Sequence, residues 1–301
     1  MVDRKAPFPG ECEAVLPGIR KILAPNPSPL TQNGTNTYIL GSGDVAVIDP
    51  GPAIPTHLDA IMAALAPGER VSHIVVTHAH LDHSGLASLL AKVSGAPVFG
   101  FGTAISGRSD TMIRLANSGA ISGGEGLDHD FNPDVTLAHG ARLAADSWAL
   151  EAIHTPGHLG GHLCYASGNI LFSGDHVMGW STSLVSPPDG DMTQYMASIA
   201  RLAKRSWTVM LPGHGDPIHS PAQRIHDLIA HRRAREAAIL DALRSGIHEI
   251  DALTRQVYAD LADILVPAAQ RNVLAHLIDL EARNLVYATT DPSQTVVYAP
   301  R

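Results

Sequence analysis

In the run Thr77-His78-Ala79-His80-Leu81-Asp82-His83, three histidines and an aspartate fall within positions 78 to 83. Imidazole nitrogen and carboxylate oxygen are the donors that divalent zinc, iron and manganese take, so this run can bind metal. The apolar Ile74-Val75-Val76 directly before it reads as the end of a buried strand, where side chains converge on one point. On an extended segment His78 and His80 project to the same side. Asp82 and His83 can serve a second ion if the chain turns into a helix after Leu81. A solvated histidine-rich loop is the weaker reading, because the cluster abuts a core strand and not a low-complexity tract.

One such run rarely completes a two-metal site, so partners are expected at other strand ends. Three further motifs supply them: His154-Thr155-Pro156-Gly157-His158-Leu159-Gly160-Gly161-His162, Ser173-Gly174-Asp175-His176 and Pro212-Gly213-His214-Gly215. Each follows an apolar strand, ending at Ile153, Phe172 and Leu211 in turn, and places small residues before a histidine or aspartate. Glycine there lets backbone approach a metal without a Cβ clash. Singly these are weak signals; in this order, each at a strand end, they are strong.

The elements that must position these residues are readable from periodicity. Thr37 to Leu40 and Val45 to Gly51 read as two strands of a hairpin, and Ile54 to Leu65 as a helix. Gly85 to Val93 reads as a helix with Leu86, Leu89, Leu90 and Val93 on one face, followed by a short strand at 96–99. This alternation means a layered α/β protein. The proline-rich stretch 8–31 reads as a loop, and residues 100–140, rich in glycine, serine and aspartate, as a long surface excursion. Its Asp128-His129-Asp130 has no preceding element to fix it as a metal site. Strands return at 142–143, 148–153, 162–165 and 170–173. From Pro221 the texture becomes helical, with Ile225, Leu228, Ile229, Ile239, Leu240 and Leu243 in one stripe ended by Ser245-Gly246. Helices at about 249–261 and 267–284 follow, then strands at 285–287 and 295–298 around the turn signal Asp291-Pro292-Ser293. Three helices and a hairpin make a winged-helix arrangement. The expected division is residues 1–221 for the metal-bearing domain and 222–301 for the tail.

The four motifs together resemble the metallo-β-lactamase superfamily of dinuclear hydrolases, over residues from about 30 to 220. The resemblance implies an αββα sandwich with the metals at one edge. It also implies that His78, His80 and His158 hold one ion, that Asp82, His83 and His214 hold the other, and that Asp175 bridges them. Asn33-Gly34-Thr35-Asn36-Thr37-Tyr38 and the tail narrow the resemblance to the beta-lactamase-like-protein-2 branch, which includes an animal mitochondrial endoribonuclease and many bacterial hydrolases. Of the remaining histidines, His162 and His176 are candidates to support the ligands from behind, and His176 could instead face the substrate. His73, His154 and His219 read as structural, and His57, His139, His226, His231, His248 and His276 as surface or helix residues.

The chain has 301 residues, 45% apolar, with a mean hydropathy of +0.06, as a folded protein with one large core or a core plus an appendage would. No membrane span and no secretory signal are visible, and Cys12 and Cys164 form neither a disulfide framework nor a thiolate zinc site. A cytoplasmic location is the expectation. The net charge is −8, and the tail carries nine arginines against ten acidic residues, so neither suggests a nucleic-acid surface. The run His231-Arg232-Arg233-Ala234-Arg235 reads as a solvated helix face. The expected cofactor is a pair of divalent ions, zinc first, with iron or manganese as alternatives.

Such a pair makes a bridging hydroxide at neutral pH, with Asp82 orienting it, so no protein nucleophile is needed; Gly-x-Ser-x-Gly is indeed absent. The leading function is hydrolysis of a small-molecule ester or thioester, similar to the hydroxyacylglutathione hydrolases. Cleavage of single-stranded RNA is the alternative from the resemblance, and a non-catalytic metal-binding regulator the alternative of another class. The tail is expected to shape the pocket or a homo-oligomer contact.

Overall fold

The protein was analysed as a computed structural model that describes residues 8–119, 121, 123, 124, 126–290 and 296–301. Its central strands are buried on both faces and so read as near-continuous apolar runs. A seven-stranded sheet runs in the order β1 (Cys12–Leu16), β2 (Ile19–Leu23), β3 (Asn36–Leu40), β4 (Asp44–Ile48), β5 (Arg70–Val75), β6 (Val98–Gly100), β7 (Val135–Thr136). It is antiparallel up to β4 and parallel from β4 onward. A second sheet holds β8 (Arg142–Ala145), β9 (Trp148–His154), β10 (Leu163–Ser167), β11 (Ile170–Gly174) and β12 (Val209–Pro212), in the order β12-β11-β10-β9-β8. There β11 and β12 are parallel and the other pairs antiparallel.

The sheets face each other. Ala46 and Ile48 of β4 pack inward with Tyr165 and Phe172 of the second sheet, while Val45 and Val47 point to the opposite face. That outer face is covered by α1 (Pro55–Ala63) and α3 (Ala87–Ser94), with the single turn α2 (Leu81–Ser84) leading into α3. The connection from β6 to β7 carries α4 (Asp110–Ser118). The outer face of the second sheet, Ile153, Cys164 and Leu171, is covered by α5 (Met192–Leu202) and the first half of α6 (Pro221–Arg244). This is the αββα sandwich. The C-terminal winged helix is also present: α6, α7 (Ile250–Val257), α8 (Val266–Ala282) and the antiparallel pair β13 (Val286–Thr290) and β14 (Val296–Pro300). Its core gathers Ile239, Leu243, Leu253, Val273, Leu277 and Val286. Helix α6 joins both cores, with Ile225 and Leu228 in the sandwich and Ile239 and Leu243 in the tail.

Several expectations need correction. The stretch 8–31 is not merely a loop: its prolines flank β1 and β2, and Pro17-Gly18, with Gly18 at φ +73°, makes the turn between them. The segment 100–140 is not merely a surface excursion. It contains α4, capped by Ser109, which accepts from the Met112 N–H, and Met112 is buried in the tail's core. On α3 only Leu90 of the proposed helical face is buried, along with Leu86 at the N-cap, whereas Leu89 and Val93 are 40% and 52% exposed. His57 and His276 are helix residues, on α1 and α8, and both are buried. The arginine run is not a solvated face: Arg232 is buried, Arg235 donates to the Val257 carbonyl, and only Arg233 of the three is exposed. The turn signal at 291–293 and the N-terminal residues 1–5 lie outside the described residues. Among the described residues no helix is long and apolar enough to cross a membrane.

Candidate metal centre

Four strand ends meet at one edge of the sandwich. β5 delivers His78 and His80, and the turn α2 after it delivers Asp82 and His83. β9 runs into His158, β11 into Asp175 and β12 into His214. The parallel pairing of β11 with β12 sets Gly174 opposite Pro212, so Asp175 and His214 leave the sheet side by side. The two sheets are joined here by Leu163 N–H to the Thr77 carbonyl at 2.8 Å and Asn36 N–H to the Gly213 carbonyl at 2.7 Å.

All seven residues expected at the site come together, in three overlapping groups: His78, His80 and His158; His78, His83 and Asp175; and Asp82, His83 and His214. In the first group His80 Nδ1 stands 2.9 Å from His78 Nε2 and 3.1 Å from His158 Nε2. In the last, Asp82 Oδ2 is 3.4 Å from His83 Nε2 and 3.3 Å from His214 Nε2. Asp175 lies between them, with Oδ2 3.7 Å from His158 Nε2 and 3.3 Å from His214 Nε2, and Oδ1 3.5 Å from His83 Nε2.

The partners behind the rings decide which atom each presents. His158 Nδ1 donates to the Leu184 carbonyl at 2.7 Å and His214 Nδ1 to the Gly34 carbonyl at 3.1 Å. His83 Nδ1 donates to Asp49 Oδ2 at 2.9 Å. Thr77 Oγ1 gives its proton to Asp49 Oδ2 and therefore accepts from His78 Nδ1 at 2.9 Å. Four rings thus turn Nε2 toward the centre, the nitrogen left to bind a cation when the ring is neutral. Lone pairs set 2.9 to 3.1 Å apart repel unless a cation or a shared proton lies among them. Two ligands of a tetrahedral ion with bonds of 2.0–2.1 Å stand roughly 3.4 Å apart, close to these separations. His83 Nε2 and Asp175 Oδ1 are buried and have no hydrogen-bond partner among the described residues, which leaves them for a metal. The donor set fits a pair of divalent ions.

The electrostatics divide the same way. Burial, reinforced by the neighbouring imidazoles, holds His78 well below the usual histidine range and His80 at about 3. Burial opposes charge on His83 and His214 too, but the carboxylates outweigh it: Asp82, Asp175 and Asp49 raise His83 well above that range, and Asp175 and Asp82 raise His214 to about 9. Burial likewise opposes ionisation of Asp82 and Asp175, yet His83 and His214 hold both below the usual carboxylate range.

The two supporting candidates part company. His162 accepts the Asp175 backbone N–H at Nε2, 3.2 Å away, and its Nδ1 donates to Thr155 Oγ1. His176 is fully buried against Tyr195, and neither ring nitrogen has a hydrogen-bond partner among the described residues, so it does not face the cleft. Asp49, which carries both Thr77 and His83, was not singled out from the sequence. Its signal was there: Val45-Ala46-Val47-Ile48-Asp49-Pro50-Gly51 has the same plan as the ligand motifs. Asp128 accepts from Ser84 Oγ at 2.6 Å and lies in none of the three groups. The centre opens on a cleft of ≈ 360 Å³ walled by Leu30, Trp180, Leu184, Tyr258, Leu265 and Asn272.

Residues 30–214 match the family described as Metallo-beta-lactamase superfamily, more than half of the chain. The chain belongs to the metallo-beta-lactamase superfamily. Members of the superfamily are generally hydrolases. Residues 250–294 match the Beta-lactamase associated winged helix domain. The chain is 30% identical over 272 residues to a Beta-lactamase-like protein 2 homolog of Caenorhabditis elegans, covering 87% of this chain and 83% of that one. It is 26% identical over 295 residues to an Atrochrysone carboxyl ACP thioesterase of Aspergillus fumigatus, covering 90% and 84%. A crystal structure of a beta-lactamase domain protein from Burkholderia ambifaria superposes with a TM-score of 0.82 over 99% of this superfamily member and 96% of its own chain. At 21% identity that likeness concerns the fold.

Proposed function

We propose that this chain is a dinuclear metal hydrolase that cleaves a carboxylic ester or thioester of a small molecule. The observation that carries it is the convergence of three overlapping ligand groups with Asp175 shared between their two ends. His78, His80 and His158 are assigned to one ion and Asp82, His83 and His214 to the other. A divalent pair, when bound, supplies hydroxide at neutral pH and polarises the substrate's oxygen. Zinc is the first choice, because imidazole and carboxylate in sets of three suit it, with iron or manganese the alternatives.

The chain's own groups do the rest. Asp82 keeps 28% of its side chain exposed, and Thr35 Oγ1 donates to its Oδ2 at 3.1 Å. It is thereby aimed at the cleft, where it can accept a hydrogen bond from an attacking water and orient it. The outward hydrogen bonds of His158, His214 and His83 keep each ring in the tautomer that binds metal. The apolar cleft wall supports a small-molecule substrate, as does the name of the A. fumigatus relative. Among the described residues neither Lys nor Arg lines this part of the cleft and Arg271 alone lines the lobe beside it, which speaks against a path for a polynucleotide strand.

The test is metal analysis of natively purified protein together with parallel assays on an ester, a thioester, a lactone, a phosphodiester and single-stranded RNA. About two ions per chain are expected, with turnover of an ester or thioester that His80→Ala and Asp175→Ala abolish. RNA cleavage that is lost in Asp82→Ala, without ester or thioester turnover, would replace this reading, and absence of bound metal would end it.

A further inference from the structure

The cleft over the cluster continues into a second lobe of ≈ 450 Å³. The two share Leu30, Leu184, Leu265 and Ala268, and both border His80 and His158. The second lobe then runs along Ile264 and Pro267. Ser186, Arg271 and Asp189 also line it, and Asp189 is already engaged by Arg108 and by the Gly124 N–H at 2.7 Å. Most of the surface this wall presents is apolar. Its two sides come from different parts of the chain: Leu30 belongs to the loop before β3, and Ile264, Leu265, Pro267 and Ala268 to the turn Asp263–Leu265 and the start of α8. The sandwich alone does not form this lobe.

Two large apolar side chains at the opening are strongly exposed, Leu30 at 53% and Ile264 at 72%, and Trp180 on the first lobe is 38% exposed. They are not scattered over the surface but border one opening that leads to the cluster, the arrangement that marks an apolar ligand's entrance. We propose that the second lobe binds the unbranched apolar acyl chain of the substrate, and that the C-terminal domain sets the chain length accepted. The substrate class is then a medium-chain acyl thioester or ester, with its carbonyl carbon over the cluster. In its hydrolysis the acyl carbon gains the oxygen of water and the C–S bond breaks. One proton of the water leaves on the thiol sulfur, and the other is lost to solvent from the carboxylic acid formed.

This inference takes its chemistry from the hydrolase reading, but binding in the lobe can be tested without it. In the first arm, metal-free protein is titrated with 1-hexanol and 1-decanol by calorimetry. In the second, metal-loaded protein hydrolyses N-acetylcysteamine thioesters from acetyl to decanoyl. Affinity and kcat/KM are expected to rise about 3- to 4-fold per methylene until the lobe is filled, the gain from burying one CH₂. Ala268→Trp, which fills the lobe, is expected to flatten both series. Ile264→Ser, at an exposed position the fold does not require, lowers the slope while leaving the melting temperature unchanged. Acetyl turnover with no chain-length dependence in either arm overturns the lobe and leaves the hydrolase reading intact. A decanol preference that Ala268→Trp removes, with no thioester or ester turnover, upholds the lobe and overturns the hydrolase reading.

Discussion

Each side chain at the centre is held from behind by a group that fixes the atom it presents. Asp49 is the most heavily used of these, accepting from the Thr77 N–H, the Thr77 hydroxyl and His83 Nδ1. Close packing extends to the backbone: a Cβ on Gly213 would lie 2.5 Å from Asp175 Oδ1 and 2.6 Å from His83 Cε1. Gly213→Ala is therefore expected to push Asp175 or His83 aside by a few tenths of an ångström or more. The expected loss is about 100-fold in kcat together with at least one of the two ions, since small misplacement of reacting groups has effects of that size. Metal analysis and single-turnover kinetics would check it, and a variant with full metal and wild-type rate would refute the packing argument. At this scale the ligand types were legible in the sequence because each sits in a short motif after its own strand. Asp49 was not, because what makes it important is the parallel pairing of β4 with β5, which sets Ile48 against Val75 and brings the following residues together.

Among the elements, α6 and α8 brace the loop that serves His158. Arg232 on α6, stacked 5.0 Å over the Tyr195 ring, donates to the Ser183 carbonyl and to Asn272 Oδ1. Asn272 on α8 accepts in turn from the Val185 N–H at 3.2 Å. Between these two anchors stands Leu184, whose carbonyl holds His158 Nδ1. The tail thus reaches the candidate metal centre through three consecutive backbone positions. Arg232→Met is expected to weaken one of the two ions about 10-fold in competition with a chelator, the size seen when ligand-orienting partners are lost. The other ion should be unaffected. Arg232→Lys should not restore it, because an ammonium lacks the planar fork that spans two acceptors. Equal weakening of both ions, or of neither, would show that the brace does not act through His158. The sequence showed that this stretch is helical but pointed its arginines to solvent. Helical periodicity identifies the apolar face, and a charged side chain beside it is buried or exposed according to what packs against it.

For the whole molecule, the sandwich and the tail share α6, so removing the tail exposes sandwich core. A chain ending at Ser220 loses Ile225 and Leu228, and with them the cover of Tyr195 and Ile199. Its melting temperature is expected to fall by roughly 10 °C or more, given about 2 to 5 kcal/mol for each large buried aliphatic side chain removed. Calorimetry of the truncated protein would decide this, and an unchanged transition would show that the sandwich folds independently of α6. The sequence by itself determined the layered fold and the residue types of the candidate metal centre, because apolar strand runs, helical periodicity and the motifs that follow the strands are local properties. Only the tertiary structure decided that Asp49 and Leu184 orient candidate ligands, that Arg232 and Arg235 of the arginine run turn inward, and that 100–140 joins the tail through Met112. Each of these depends on which distant surfaces meet, and pairing across tens of residues to more than a hundred is set by the packing of whole layers, which no local pattern encodes.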